Sequence, residues 1–189
     1  MKTTNIMIVG VGGQGTLLAS RILGNAVIGE GYDVKVSEVH GMSQRGGSVV
    51  TYVKFGEKVY SPIIGRGEAD IILAFELLEA YRSLPYLREG GRIIVNTQSI
   101  DPMPVITGAA QYPADIAEKL AAKASVTAID ALSLAKEAGN SRAVNVVLIG
   151  LMAKNTEIPY ERWIETLKAT VPPKFLDVNL KAFELGYNN

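Results

Sequence analysis

The stretch Asn5 to Thr16 constrains the fold more than any other part of the chain; it reads Asn-Ile-Met-Ile-Val-Gly-Val-Gly-Gly-Gln-Gly-Thr. Ile6, Met7, Ile8 and Val9 form a short unbroken apolar run, which suits a strand buried on both faces of a parallel sheet. The run breaks at Gly10, Gly12, Gly13 and Gly15, and Leu17, Leu18, Ile22, Leu23 and Ala26 then fall on helical spacing. This predicts strand, glycine turn, helix. Gly10, Gly12 and Gly15 match G-x-G-x-x-G in the strand-to-helix context that the pattern requires. Glycine tolerates positive φ and, lacking Cβ, lets the backbone approach a ligand or a neighbouring element. Free N–H groups at the helix start would favour an anion. Two readings are therefore open here, a cradle for a phosphate-bearing ligand and a tight turn that binds nothing.

The rest of the chain alternates between strand and helix patterns. Tyr32 to Glu38 reads as a second strand with Val34 and Val36 on one face, and Glu38 at its end is where a dinucleotide fold places an acid for a ribose. His40 to Ser48 has almost no apolar content and three glycines, which predicts a loop. Ser48 to Phe55 is the third strand; Gly56-Glu57-Lys58 turns it, and Val59 to Ile64 is expected to return antiparallel to it, because so short a connection allows nothing else. Ala69 to Phe75 reads as a buried strand, followed by a helix that carries Glu76, Glu79 and Arg82 opposite Leu77, Leu78 and Tyr81. A strand at Arg92 to Asn96, a helix at 113–124, a strand at Val126 to Ile129 and a helix N-capped by Asp130 continue the alternation. Residues 142–154 are apolar enough for a central helix. The remainder is helical, with Tyr160, Trp163, Ile164 and Leu167 on one stripe and Leu176, Leu180 and Phe183 on another.

The fold class predicted is α/β: a three-layer α/β/α, Rossmann-like, mostly parallel sheet with one antiparallel hairpin and a helical C-terminal part, residues 1–189 forming a single domain. A ligand crevice belongs beyond the carboxyl ends of the strands. The glycine turn, the 39–48 loop and the 65–68 junction are expected to meet there.

Composition excludes several classes. Lys plus Arg and Asp plus Glu are 19 each, so there is no basic excess to drive nucleic-acid binding. No apolar run approaches the roughly 20 residues that span a bilayer. Lys2, Thr3 and Thr4 lead straight into the first strand rather than a leader, so a soluble, cytoplasmic chain is expected. Cysteine is absent, which removes disulfides, thiol catalysis and cysteine-held iron–sulfur clusters from this chain, and the single histidine removes a multi-histidine metal site.

Gly-Val-Gly-Gly-Gln-Gly at 10–15, with Glu-Val-His-Gly-Met-Ser-Gln-Arg-Gly-Gly at 38–47, resembles the gamma-type component of 2-oxoacid:ferredoxin oxidoreductases. Tyr60-Ser61-Pro62-Ile63-Ile64 and Gly67-Glu68-Ala69-Asp70 add to the likeness, and His40 to Gly47 is most similar to the indolepyruvate branch. The resemblance covers nearly the whole chain. It implies oxidative decarboxylation of an arylpyruvate on thiamine diphosphate, electrons leaving through [4Fe-4S] clusters to ferredoxin, and transfer of the acyl group to coenzyme A. It also implies that thiamine diphosphate, its Mg and the clusters belong to a larger partner subunit. This chain would then be inactive alone, and would complete the active site or help hold coenzyme A.

The residues expected to bind a cofactor are Gly10, Gly12, Gly13, Gly15, Ser43, Arg45, Gly46 and Gly47. Arg45 offers a planar fork of donors to a phosphate or carboxylate; the alternative is a salt bridge within the loop or to a partner. His40 reads as a proton shuttle or as a hydrogen-bonded loop residue, and Glu38 as a ribose ligand or a capping residue. No catalytic residue is assigned and no metal ligand is expected. Two other functions stay open: a stand-alone NAD- or FAD-dependent oxidoreductase, resting on the glycine turn plus Glu38, and a purely structural subunit.

Overall fold

The apolar run near the start of the chain becomes the middle of the sheet. In the computed structural model, which describes residues 3–40 and 46–189, strand β1 (Thr4–Val11) lies between β3 (Ser48–Gly56) and β4 (Ala69–Ala74). With β2 (Asp33–His40), β5 (Leu87–Asn96) and β6 (Ser125–Ile129) the order is β2-β3-β1-β4-β5-β6. Ile6 and Ile8 pack into the core on one face of β1 and Met7 and Val9 into the core on the other, all but fully buried, as the two-residue period of a strand requires.

Helices cover both faces. Helix α1 (Thr16–Gly29), α5 (Ala131–Ala138), α6 (Val144–Ala153), α7 (Tyr160–Thr170) and α8 (Leu176–Asn188) share the larger core with Ile6 and Ile8. The opposite face is covered by α2 (Leu77–Ser83) and α4 (Ile116–Ala121), with the single turn α3 (Met103–Ile106) beyond the end of β5. Every residue of α6 is buried, in keeping with its unbroken apolar sequence. It can lie against α8 because Gly150 and Gly186 bring the two backbones together: a Cβ at Gly186 would stand 1.9 Å from the Val147 carbonyl oxygen.

Several expectations change. β3 runs antiparallel to both β1 and β2, while β1–β4, β4–β5 and β5–β6 are parallel. The antiparallel hairpin is therefore β2–β3, not β3 with Val59 to Ile64. Both edges of β3 are already hydrogen-bonded, so no edge remains for 59–64, which runs as irregular chain with Val59 and Ile64 buried and Tyr60 and Ile63 exposed. The helix expected at 113–124 is confined to 116–121, behind Asp115 at φ 57°. Leu17, assigned to the apolar stripe of α1, is 55% exposed.

Candidate functional site at the carboxyl ends of β1 and β4

The chain leaves β1 for one side of the sheet and later enters β4 on the other, so the carboxyl ends of these neighbours form the switch point at which open α/β sheets bind ligands. The glycine turn sits there. Gly10 lies inside the strand, where a Cβ would come within 2.9 Å of both Phe75 Cβ and Gln14 Oε1. Gln14 closes the turn: its Oε1 accepts from the Val11 amide at 2.8 Å and its Nε2 donates to the Phe75 carbonyl at 3.0 Å. Gly13 and Gly15 take φ of 103° and 86°. Gly15 packs on α6, where a Cβ would meet Asn145 Nδ2 at 2.7 Å, whereas a Cβ at Gly13 would meet nothing within 4 Å. Gly15 is also the N-cap of α1 and supplies no side-chain cap.

The predicted cofactor residues are brought together in part. The Gly12 amide donates to the Gly47 carbonyl at 2.8 Å and the Gly46 amide donates to the Gly12 carbonyl at 3.3 Å, so the glycine turn and residues 46–47 are stitched backbone to backbone. The Gly12 amide is thus used within the fold. Ser43 and Arg45 lie outside the described residues. The 65–68 junction does not join this cluster: β4 runs parallel to β1, so the residues leading into β4 sit at the opposite, amino end of the sheet. Glu38 is separated from β1 by β3, about two strand spacings or 9–10 Å, and accepts a hydrogen bond from Thr51 Oγ1 at 3.3 Å. The inserted strand removes the β1–β2 adjacency on which ribose binding by Glu38 depended.

Residues 46–48, the start of α2 and residues 100–104 enclose a cleft of about 280 Å³. Its floor holds two carboxylates one helical turn apart, Glu76 at 1% and Glu79 at 4% exposure. Glu76 N-caps α2 by accepting from the Glu79 amide at 2.8 Å; its other oxygen accepts from the Ile100 amide at 3.1 Å and from the Tyr112 hydroxyl. Burial and then the bond to Glu76 push the Tyr112 phenol up to about 12, so it acts as a neutral donor. Glu79 accepts from Ser48 Oγ at 2.5 Å and from Arg82 Nη1 at 2.6 Å. In the sequence Glu76, Glu79 and Arg82 read as a polar helix face without a role, and nothing marks Gln14, Tyr112 or Asn145. Their partners lie 24 to 130 residues away, apart from local contacts, so no spacing signal exists. A larger cleft of about 470 Å³ opens at the amino end, where Arg88 pairs with Asp70 at 2.5 Å and Arg92 donates to Asn155. Among the described residues no group of three His, Cys, Asp or Glu could hold a metal ion, and no helix is long and apolar enough to cross a membrane.

The site thus combines a mixed sheet, with an antiparallel strand inserted beside β1, and a glycine turn stitched to Gly46 and Gly47. Residues 5–189 match the pyruvate ferredoxin/flavodoxin oxidoreductase family, and the chain belongs to it. Its relatives narrow this further. It is 48% identical to the indolepyruvate oxidoreductase subunit IorB of Thermococcus kodakarensis, over 98% of this chain and 95% of that one. It is 47% identical, with the same coverage, to the subunit of that name from Pyrococcus horikoshii. Among solved structures, the gamma subunit of a keto/oxoacid ferredoxin oxidoreductase from Geobacter sulfurreducens matches with a TM-score of 0.73 at 25% identity, covering 98% of this chain and 96% of that one. The chain is the small, gamma-type subunit of a 2-oxoacid:ferredoxin oxidoreductase, as the motifs at 10–15 and 38–47 implied.

Proposed function

We propose that this chain is the small subunit of a cytoplasmic indolepyruvate:ferredoxin oxidoreductase, one gamma-type domain whose carboxyl-end cleft completes the active site or helps hold coenzyme A. The observation that carries this reading is its similarity, over nearly the full length of both chains, to subunits of indolepyruvate oxidoreductases. The overall change is 2-oxoacid plus coenzyme A thiol plus two oxidised ferredoxins to acyl-CoA, carbon dioxide, two reduced ferredoxins and a proton. Thiamine diphosphate with Mg would supply the decarboxylation chemistry and [4Fe-4S] clusters the electron transfer, all held by the larger subunit. With no cysteine on this chain, a cluster has no ligands here, which supports placing it on the larger subunit.

The glycine turn, which adjoins the cleft through Val11, Gly46 and Gly47, suits a phosphate-bearing co-substrate. Gly13 faces open space and the first turn of α1 has no side-chain cap, so its leading amides favour an anion. The Arg82 side chain is 50% exposed at the rim, and Arg45 would add a bidentate donor. Glu79 is compensated by Arg82. The same end of the sheet carries exposed apolar side chains on three elements, Leu17 on α1, Val39 near the end of β2, and Met103 and Ile106 on α3. Such a rim around a polar cleft suits a protein partner.

The test is viologen reduction with indolepyruvate and coenzyme A, by this chain alone and after addition of the larger subunit. No turnover alone and robust turnover after addition are expected, with indolepyruvate preferred to pyruvate and 2-oxoglutarate. Turnover by the single chain, or micromolar nicotinamide binding to it, would refute the reading.

A further inference from the structure

Glu79 is a carboxylate that the fold keeps at 4% exposure, and burying a charge is costly unless donors compensate it. Its two donors both border the cleft. Ser48 forms the last rung of the β1–β3 ladder, opposite Val11, and its hydroxyl donates a hydrogen bond to Glu79 Oε2 at 2.5 Å. The two residues before Ser48 make the backbone stitch to Gly12. On the other oxygen, Arg82 is held at 2.6 Å, which sets the direction of a half-exposed guanidinium at the rim. Glu79 itself is fixed from below: its amide donates to Glu76 and its carbonyl accepts from Ser83 Oγ at 2.8 Å. One side chain on α2 therefore ties the start of β3, and through it the glycine turn, to the opposite wall of the cleft.

We propose that Glu79 is a positioning residue for coenzyme A: by holding Ser48 and Arg82 it keeps the 46–48 edge registered on the glycine turn, and so sets the affinity of the assembled enzyme for this co-substrate. The proposal rests on the reading that the carboxyl-end cleft takes part in holding coenzyme A. Glu79→Gln keeps the shape but leaves one acceptor oxygen for the two donors Ser48 and Arg82, so it weakens the link without opening a cavity. The expected effect is roughly a tenfold to hundredfold rise in KM for coenzyme A, about 1.4–2.8 kcal/mol by the relation of about 1.4 kcal/mol to a factor of ten.

The experiment uses the assembled two-subunit enzyme carrying Glu79→Gln, Ser48→Ala, Ser48→Thr or the Glu79→Gln/Ser48→Ala pair, with assembly and melting temperature recorded for each. In Glu79→Gln the KM for coenzyme A should rise at least tenfold while KM for the 2-oxoacid and kcat move less than about twofold. The Ser48→Ala change should add less on the Glu79→Gln background than alone, because the two groups act on one link. Ser48→Thr, which keeps the hydroxyl, should restore most of the affinity lost in Ser48→Ala. Amide hydrogen exchange at Gly12 and Gly46 should speed up in Glu79→Gln and Ser48→Ala. Unchanged exchange at both amides overturns the positioning role whatever the cleft binds. Faster exchange with an unchanged KM for coenzyme A overturns the link to the co-substrate; if Arg45→Ala then also leaves that KM unchanged, the reading of the cleft fails with it. A uniform loss of kcat and melting temperature, without a KM split, assigns Glu79 to stability alone and overturns the proposal. Should Glu79→Gln fail to assemble, Ser48→Ala carries the same KM and exchange test.

Discussion

Gly13 and Gly15 provide a controlled pair for separating backbone conformation from packing in the glycine turn. Both have left-handed backbones, with φ of 103° and 86°, but only at Gly15 does the space for a Cβ belong to another residue, Asn145 Nδ2 at 2.7 Å. An L-residue in this region costs roughly 1–2 kcal/mol, and Gly13→Ala should lose that amount and no more. Gly15→Ala should lose more, because overpacking against Asn145 adds to the backbone cost. Asn145 is 5% exposed, donates to the Gly15 carbonyl at 3.3 Å and accepts from the Val146 amide at 2.9 Å, so its side chain cannot swing away without giving up hydrogen bonds. Overpacking of such a site costs about 1–3 kcal/mol, for a total of roughly 2–5 kcal/mol. At about 2–4 °C per kcal/mol for a chain of this size, Gly13→Ala should melt roughly 2–8 °C below wild type and Gly15→Ala roughly 4–20 °C below. Urea denaturation of the two variants side by side is the assay, since the backbone contribution largely cancels in their difference. A Gly15→Ala protein no less stable than Gly13→Ala would refute the argument that Gly15 is needed for its approach to α6.

Arg45→Ala in the assembled enzyme should weaken coenzyme A use or catalysis roughly tenfold to a hundredfold, with Arg45→Lys only a partial rescue because an ammonium makes no bidentate contact; steady-state kinetics with assembly checked by gel filtration decides this. Gly186→Ala should cost at least about 3 kcal/mol, since its Cβ would fall 1.9 Å from the Val147 carbonyl oxygen and push α8 off α6; urea midpoints measure it. For Tyr112, whose phenol is raised from 10.0 to about 12, the folded state holds the proton more tightly than the unfolded chain. Its contribution is present below pH 10 and is lost as pH rises through 12. The stability difference between wild type and Tyr112→Phe should therefore shrink over that window, and a constant difference would show that the phenol does not titrate in this way.

The elements were legible wherever a local pattern settles the matter. Ile6 to Val9 announced a strand buried on both faces, Asp130 a helix start, and residues 142–154 a central apolar helix, which runs from Val144 to Ala153; each follows from side-chain chemistry at fixed short spacing. The pairing of β3 was not legible. Val59 to Ile64 is as apolar as a return strand, and only the occupation of both β3 edges by β1 and β2 excludes it from the sheet. The same pairing placed β3 between β1 and β2, moved Glu38 away from the glycine turn, and put the 65–68 junction at the far end of the sheet.

The site divides along the same line. Gly10 to Gly15 and Gly46-Gly47 stood out by composition, because a turn with positive φ and close backbone approach admits few residues other than glycine. Their meeting through the Gly12–Gly47 and Gly46–Gly12 hydrogen bonds depends on strand register, which is a property of the folded sheet. Glu76 and Glu79 looked like the solvated face of a helix, and their spacing alone cannot say otherwise. They are buried because β4 delivers α2 beneath the 46–48 edge and residues 98–112 close over it, so that Ser48, Ile100 and Tyr112 arrive from distant parts of the chain to take the place of water. Sequence by itself determined most of the strands, turns and helices, Val59 to Ile64 and the bounds of the helix at 113–124 excepted, because those choices rest largely on neighbours a few residues apart. Tertiary structure alone decided which charges are buried and what they hold, because burial and long-range hydrogen bonding depend on which segments the sheet brings side by side.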